Sequence, residues 1–257
     1  MKLSKNAEVL KTRHNKVVYR DGDRIVKVFN STKPASDIFN EALNLSRIQD
    51  TTINVPRILE VSQMDDGAWA LSTEYIPGKT IGQLLDEAAN EAEVAKLLDT
   101  FVDLQIEIMN TEAPRLLNKQ RNKLAGMIGR VKEIDPSTRY DLQMRTDRMR
   151  GASNICHGDF IPSNVIVGDD GKLYVCDWTH VTKGVAAADA ATTYIILRAG
   201  RPDLADAYLD VYSKKTDTPK QVIDYWVPVV AAAELARGRE RVHDTLLSFV
   251  EGVGEFE

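Results

Sequence analysis

His157-Gly158-Asp159-Phe160-Ile161-Pro162-Ser163-Asn164 precedes the run Val165-Ile166-Val167, and after Asp169-Asp170-Gly171 comes Leu173-Tyr174-Val175-Cys176-Asp177. Two short apolar runs around an Asp-Gly turn predict a β-hairpin. The loop 157–164 lies just before the first strand and Asp177 lies at the end of the second. A hairpin therefore returns Asp177 to the loop. An Asp followed five positions later by an Asn suits phosphoryl transfer. Asp159 can orient an attacking hydroxyl and accept its proton, and the side-chain carbonyl of Asn164 is a suitable Mg²⁺ ligand. Asp177 and Asn164 would share one or two metals bridging nucleotide phosphates.

Working outward, the texture of the chain changes near Pro77-Gly78. Before it, β-rich runs dominate. Val17–Arg20 and Arg24–Phe29 flank the turn signal Asp21-Gly22. A helix is expected over Ala35–Gln49, then strands near 57–61 and 69–75 around Asp65-Asp66-Gly67. After Gly78 the pattern is mostly helical. Thr80-Ile81-Gly82-Gln83 has capping-box spacing. Val94, Leu97, Leu98, Phe101, Leu104 and Ile108 keep a helical period. Further helices are expected around 118–134, 138–149 and from about Ala186 onward. The expected division is residues 1–76 and 77–257, a small β-rich lobe and a larger helical one with an embedded hairpin.

His-Gly-Asp-x-x-x-x-Asn, a hairpin and then Asp-Trp resembles the aminoglycoside phosphotransferase and choline kinase-like family, a relative of protein kinases. The resemblance implies an α+β, bilobal, protein-kinase-like fold. It implies Asp159 as the catalytic residue, Asn164 and Asp177 as metal ligands, and ATP or GTP with Mg²⁺ as cofactors. The acceptor it implies is a hydroxyl on an amino sugar, an amino alcohol such as choline, or a related metabolite.

The N-terminal lobe offers a test. A kinase-like lobe needs a strand lysine for the phosphates and a helix glutamate to hold it. In Ile25-Val26-Lys27-Val28-Phe29, alternation places Lys27 among apolar neighbours. On the following helix, Ile38, Glu41, Leu45 and Ile48 share one stripe, so Glu41 also needs a partner. Two misplaced opposite charges on adjacent elements are best explained by pairing, against a bland reading of both as rim charges. Leu71–Gly78 resembles the family's hinge, where the main chain of Glu74 and Ile76 would hydrogen-bond the purine. The competing role for that stretch is a plain linker. In place of a glycine-rich phosphate loop stands Lys11-Thr12-Arg13-His14-Asn15-Lys16. Side chains of Arg13, Asn15 or Lys16 would have to replace the backbone cradle; a solvated basic turn is the alternative.

Other residues carry less. His157 and Asp189 match structural positions of the family that brace the catalytic loop. Trp178, Trp226 and Glu234 lie where the family builds acceptor pockets, and aromatics with an acid would suit a cationic substrate. Core packing is the competing role for each.

Bulk properties bound the rest. The chain has 257 residues, a formal charge of −5 and two cysteines, Cys156 and Cys176. Nothing global attracts nucleic acid or an anionic membrane. Neither a signal peptide nor a membrane span is expected, and so few cysteines fit a reducing cytoplasm. A monomer is expected. Two other readings remain at this stage: a protein kinase, and a non-catalytic nucleotide-binding module. Only eleven residues, 178–188, separate Asp177 from Asp189, which leaves little room for the activation segment of a protein kinase.

Overall fold

The computed structural model describes residues 1–238 and 242–251. The chain forms two compact units. One comprises Met1–Gln83 with Ser163–His180, the other Leu84–Pro162 with Val181–Glu257.

In the first unit, β1 (Glu8–Thr12), β2 (Lys16–Asp21) and β3 (Arg24–Phe29) lead into α1 (Ala35–Gln49), then β4 (Ile58–Gln63) and β5 (Trp69–Glu74). The sheet is antiparallel, in the order β1-β2-β3-β5-β4. The register pairs Asp21 with Arg24, which leaves Gly22 and Asp23 as the two loop residues, one position later than Asp21-Gly22. Gly22 takes φ +63° there, a region that only glycine enters freely. α1 runs over the expected residues and buries the expected stripe, Ile38, Glu41, Leu45 and Ile48. Ile38 and Ala42 pack with Phe29 and Leu71 of the sheet. Burying the apolar members of that stripe is worth about 2 kcal/mol each.

The joint read at Pro77-Gly78 begins a further strand. β6 (Gly78–Thr80) pairs with the first strand of the hairpin, placed among the later strands as β8 (Val165–Gly168), which pairs in turn with β9 (Leu173–Val175). Gly78 has φ +144°, and a Cβ there would lie 2.1 Å from the Val167 carbonyl oxygen, so no other residue fits this approach. This pairing is why the hairpin belongs with the N-terminal unit. The division is therefore discontinuous in sequence, unlike the expected cut after residue 76.

The second unit is helical. Its long helices are α3 (Glu91–Asn110), α6 (Ala186–Gly200) and α7 (Pro202–Thr216), with α4 (Gln120–Ile128), α5 (Pro136–Arg145), α8 (Lys220–Asp224), α9 (Val227–Leu235) and α10 (His243–Glu251) around them. α2 (Ile81–Glu87) enters the unit through a reciprocal capping box. Thr80 N–H donates to Gln83 Oε1 at 2.8 Å and Gln83 N–H to Thr80 Oγ1 at 3.1 Å. Helices expected over 118–134 and 138–149 are shorter than read, the second ending in a 3₁₀ turn at Thr146–Met149. Two short strands went unread. β7 (Asn154–Cys156) feeds the His157 loop and pairs with β10 (Thr182–Gly184). Phe101 of α3 stacks on Phe160 at 4.4 Å. Among the described residues, no helix is long and apolar enough to cross a membrane.

Candidate active site

In the first unit, strand alternation turns Lys27 toward α1, and the helical stripe brings Glu41 to meet it. Lys27 Nζ donates to Glu41 Oε1 at 2.6 Å and lies 3.6 Å from Asp177 Oδ1. The Lys27 side chain is 17% exposed and that of Glu41 4%, so the pair is screened little by water. Burial alone would strip the Lys27 proton, but Asp177 and Glu41 outweigh it and hold the ammonium well above an ordinary lysine. Lys27 in turn holds the Asp177 carboxyl well below the usual carboxylate range; burial opposes, while Lys16 and the Thr179 hydroxyl add to the effect. Lys16 Nζ is 4.0 Å from Asp177 Oδ2, and Thr179 Oγ1 donates to Oδ1 at 2.8 Å. Asp177 has φ +61°, a left-handed conformation costly for a non-glycine residue and enriched at functional sites. The Cys176 N–H donates to the Asn164 carbonyl at 2.8 Å, closing the hairpin end so that Asn164 and Asp177 flank one backbone bond.

This donor set fits Mg²⁺. Asp177 is kept ionised, and an amide oxygen with a carboxylate is what that ion takes from protein when phosphates and water complete its shell. Among the described residues, no group of three His, Cys, Asp or Glu side chains forms a self-sufficient metal cage.

In the second unit, β7 delivers the chain to His157, which is fully buried. Asp189 at the start of α6 accepts the His157 N–H at 3.1 Å and the Gly158 N–H at 2.7 Å. The Asp159 N–H donates back to His157 Nδ1 at 3.2 Å. Burial pushes the Asp189 carboxyl up, and His157 with the two backbone donors opposes. Arg237, just past α9, donates from Nη2 to the Gly158 carbonyl at 3.0 Å. Its Nη1 lies 3.8 Å from Asp159 Oδ1 and 3.0 Å from Glu234 Oε1. Lys123 of α4 is pulled down to about 7, first by burial and then by Arg237, against Glu234, Asp189 and Asp159.

The remaining expected residues are placed as follows. Glu74 ends β5; its N–H is committed to the Arg57 carbonyl at 2.8 Å and its carboxylate to the Arg57 guanidinium at 3.2 Å. Ile76 is buried just beyond. Trp178 is enclosed at 1% exposure, its indole N–H donating to the Val175 carbonyl. Trp226 is also buried, against Tyr225, and Glu234 is turned to Arg237. None of these three side chains presents an open face.

The sequence matches the model of the phosphotransferase enzyme family over residues 7–222. The chain belongs to the phosphotransferase enzyme family. Its structure is similar to that of a thermostable mutant of aminoglycoside phosphotransferase APH(4)-Ia in ternary complex with AMP-PNP and hygromycin B, at 10% identity, over 96% of this chain and 92% of that one, with a TM-score of 0.72. It is also similar to aminoglycoside-3'-phosphotransferase of type VIII, at 17% identity over 89% and 93%, TM-score 0.61. A third is the GDP complex of wild-type aminoglycoside 2'-phosphotransferase-IIIa, at 14% over 96% and 91%, TM-score 0.61. The fold of this phosphotransferase is therefore the protein-kinase-like one. No curated protein matches the sequence.

Sequence reasoning missed Arg237 and Lys123. Lys123 follows Lys119 and Arg121, and Arg237 precedes Arg239 and Arg241, so no motif marks out one cation of either run. Only the packing of α9 and α4 reveals their carboxylate neighbours. Lys16 was read within the phosphate-loop substitute, and its approach to Asp177 came from the β2 register.

Proposed function

We propose that this phosphotransferase is a small-molecule kinase that moves the γ-phosphoryl of ATP or GTP to an acceptor hydroxyl. The observation that carries the reading is the Lys27 ammonium, buried between Glu41 at 2.6 Å and Asp177 at 3.6 Å. A fixed, permanently charged donor held by a helix glutamate is what triphosphate binding requires. The structurally similar proteins captured with AMP-PNP or GDP support a nucleotide as donor.

In this reading Lys27 binds the α- and β-phosphate oxygens, and Glu41 keeps it aimed. Asn164 and Asp177 would hold Mg²⁺, which when bound neutralises the negative charge of the phosphates. Glu74, with its N–H already used, offers the purine its carbonyl oxygen, and Ile76 offers its N–H. Asp159 orients the acceptor hydroxyl and takes its proton. The acceptor is an amino sugar, an amino alcohol or a related metabolite. The enzyme acts as a monomer in the cytoplasm, where its nucleotide is plentiful.

The test is release of ADP or GDP by the purified chain over a panel of aminoglycosides, choline-like alcohols and free sugars. One class of acceptor is expected to stimulate release. Asp159→Asn is expected to bind Mg·nucleotide with unchanged affinity and to lose about 10³-fold or more in turnover, since positioning and proton acceptance act together. Mg·ATP binding by calorimetry without turnover on any acceptor would instead make the chain a nucleotide-binding module. Turnover on a generic protein would make it a protein kinase.

A further inference from the structure

The peptide unit joining Gly158 to Asp159 is held at both ends within the second unit. Its carbonyl accepts from Arg237 Nη2 at 3.0 Å, and its N–H donates to His157 Nδ1 at 3.2 Å. Gly158 is itself left-handed at φ +75°, and its own N–H is taken by Asp189. A peptide plane pinned on both edges fixes the backbone torsion from which the Asp159 side chain projects. The same guanidinium reaches that carboxylate, with Nη1 3.8 Å from Asp159 Oδ1. A planar fork meets a carbonyl and a carboxylate at fixed angles, whereas the three donors of an ammonium rotate and fix neither. Arg237 is aimed by Glu234, one helical turn earlier on α9, through the 3.0 Å ion pair. Both side chains are largely enclosed, at 13% and 4% exposure.

We propose that Arg237, braced by Glu234, is the positioning residue of the catalytic loop, setting the Gly158–Asp159 peptide and the orientation of the Asp159 carboxylate. Glu234, expected from the sequence to face the acceptor, then acts through Arg237. The assignment rests on the kinase reading of Asp159, and its own test keeps the two apart.

Wild type, Arg237→Lys, Arg237→Ala and Glu234→Gln are compared by steady-state kinetics, by calorimetry with Mg·nucleotide and by hydrogen exchange of the 157–160 amides. Arg237→Lys keeps charge and stem, so it guards against a variant that fails to fold. The expected result is a kcat lowered about 10-fold in Arg237→Lys and about 100-fold in Arg237→Ala, with nucleotide affinity unchanged. Exchange at 157–160 is faster in both, and added guanidinium ion partly restores kcat in Arg237→Ala. Glu234→Gln gives a smaller loss of the same kind. If both Arg237 variants keep kcat within twofold, or if exchange at 157–160 is unaltered, the assignment is overturned while the kinase reading stands. A wild-type chain with no turnover sinks the kinase reading, which is seen before any variant is made.

Discussion

The Lys27–Glu41 pair makes a strong quantitative claim about the first unit. At an effective dielectric of about 20, charges at the 2.6 Å separation attract by about 6 kcal/mol, and the Lys27–Asp177 pair at 3.6 Å by about 5 kcal/mol. Desolvation offsets most of this, and removing one member of a buried pair costs about 3–5 kcal/mol. Glu41→Ala leaves Lys27 with Asp177, so its cost falls at the low end, about 3 kcal/mol. Lys27→Met leaves the Glu41 and Asp177 carboxylates without the ammonium that neutralises both, and costs about 4 kcal/mol. The double variant should cost about 4 rather than 7 kcal/mol, a coupling of about 3. Native-state hydrogen exchange of the α1 and β3 amides measures this, because it reports opening of that unit by itself. Costs that add to within about 0.5 kcal/mol would mean that the two residues do not support each other, and the structural argument for the phosphate-binding lysine would fail.

Two further predictions concern charge. Asp177 sits below the ordinary carboxylate range, so its contribution to stability is fully present above its unfolded pKa of about 4 and is lost as pH falls through the lower folded value. Asp177→Asn, which tolerates the left-handed backbone, should thus differ from wild type at pH 7 and converge with it on acidification; Asp177→Ala should cost about 1 kcal/mol more at any pH. A constant gap between wild type and Asp177→Asn from pH 7 to pH 2 would contradict this. Lys123 is also displaced downward, but here burial works against the charged form. Its folded value of about 7 lies below the 10.5 of a free lysine, so the folded chain carries fewer protons between those limits and stability rises with pH through that window. Lys123→Met removes that rise, on the order of a few kcal/mol. Equal pH slopes of the urea midpoints in wild type and Lys123→Met, between pH 6 and 10, would refute it.

Much of the first unit was legible because its signals are local. Two-residue turns, strand alternation and a 3.6-residue stripe are written in consecutive residues, so β2, β3, α1 and the β8–β9 hairpin fell where expected, and Glu41 was seen on the buried stripe of its helix. Three-residue strands with no hairpin turn beside them gave no such signal. β6, β7 and β10 exist because a distant strand offers them partners, which is also why the hairpin joined the N-terminal unit.

The residue types able to carry phosphoryl transfer, and their order along the chain, were determined by the sequence itself, since a loop Asp, an Asn five positions on and an Asp after a hairpin are fixed by covalent spacing. Tertiary structure alone decided which charges answer them: Lys16 at Asp177, and Arg237 and Lys123 around Asp159. Coulombic attraction and desolvation depend on distance and burial, and for residues far apart in sequence neither is encoded in their spacing along the chain.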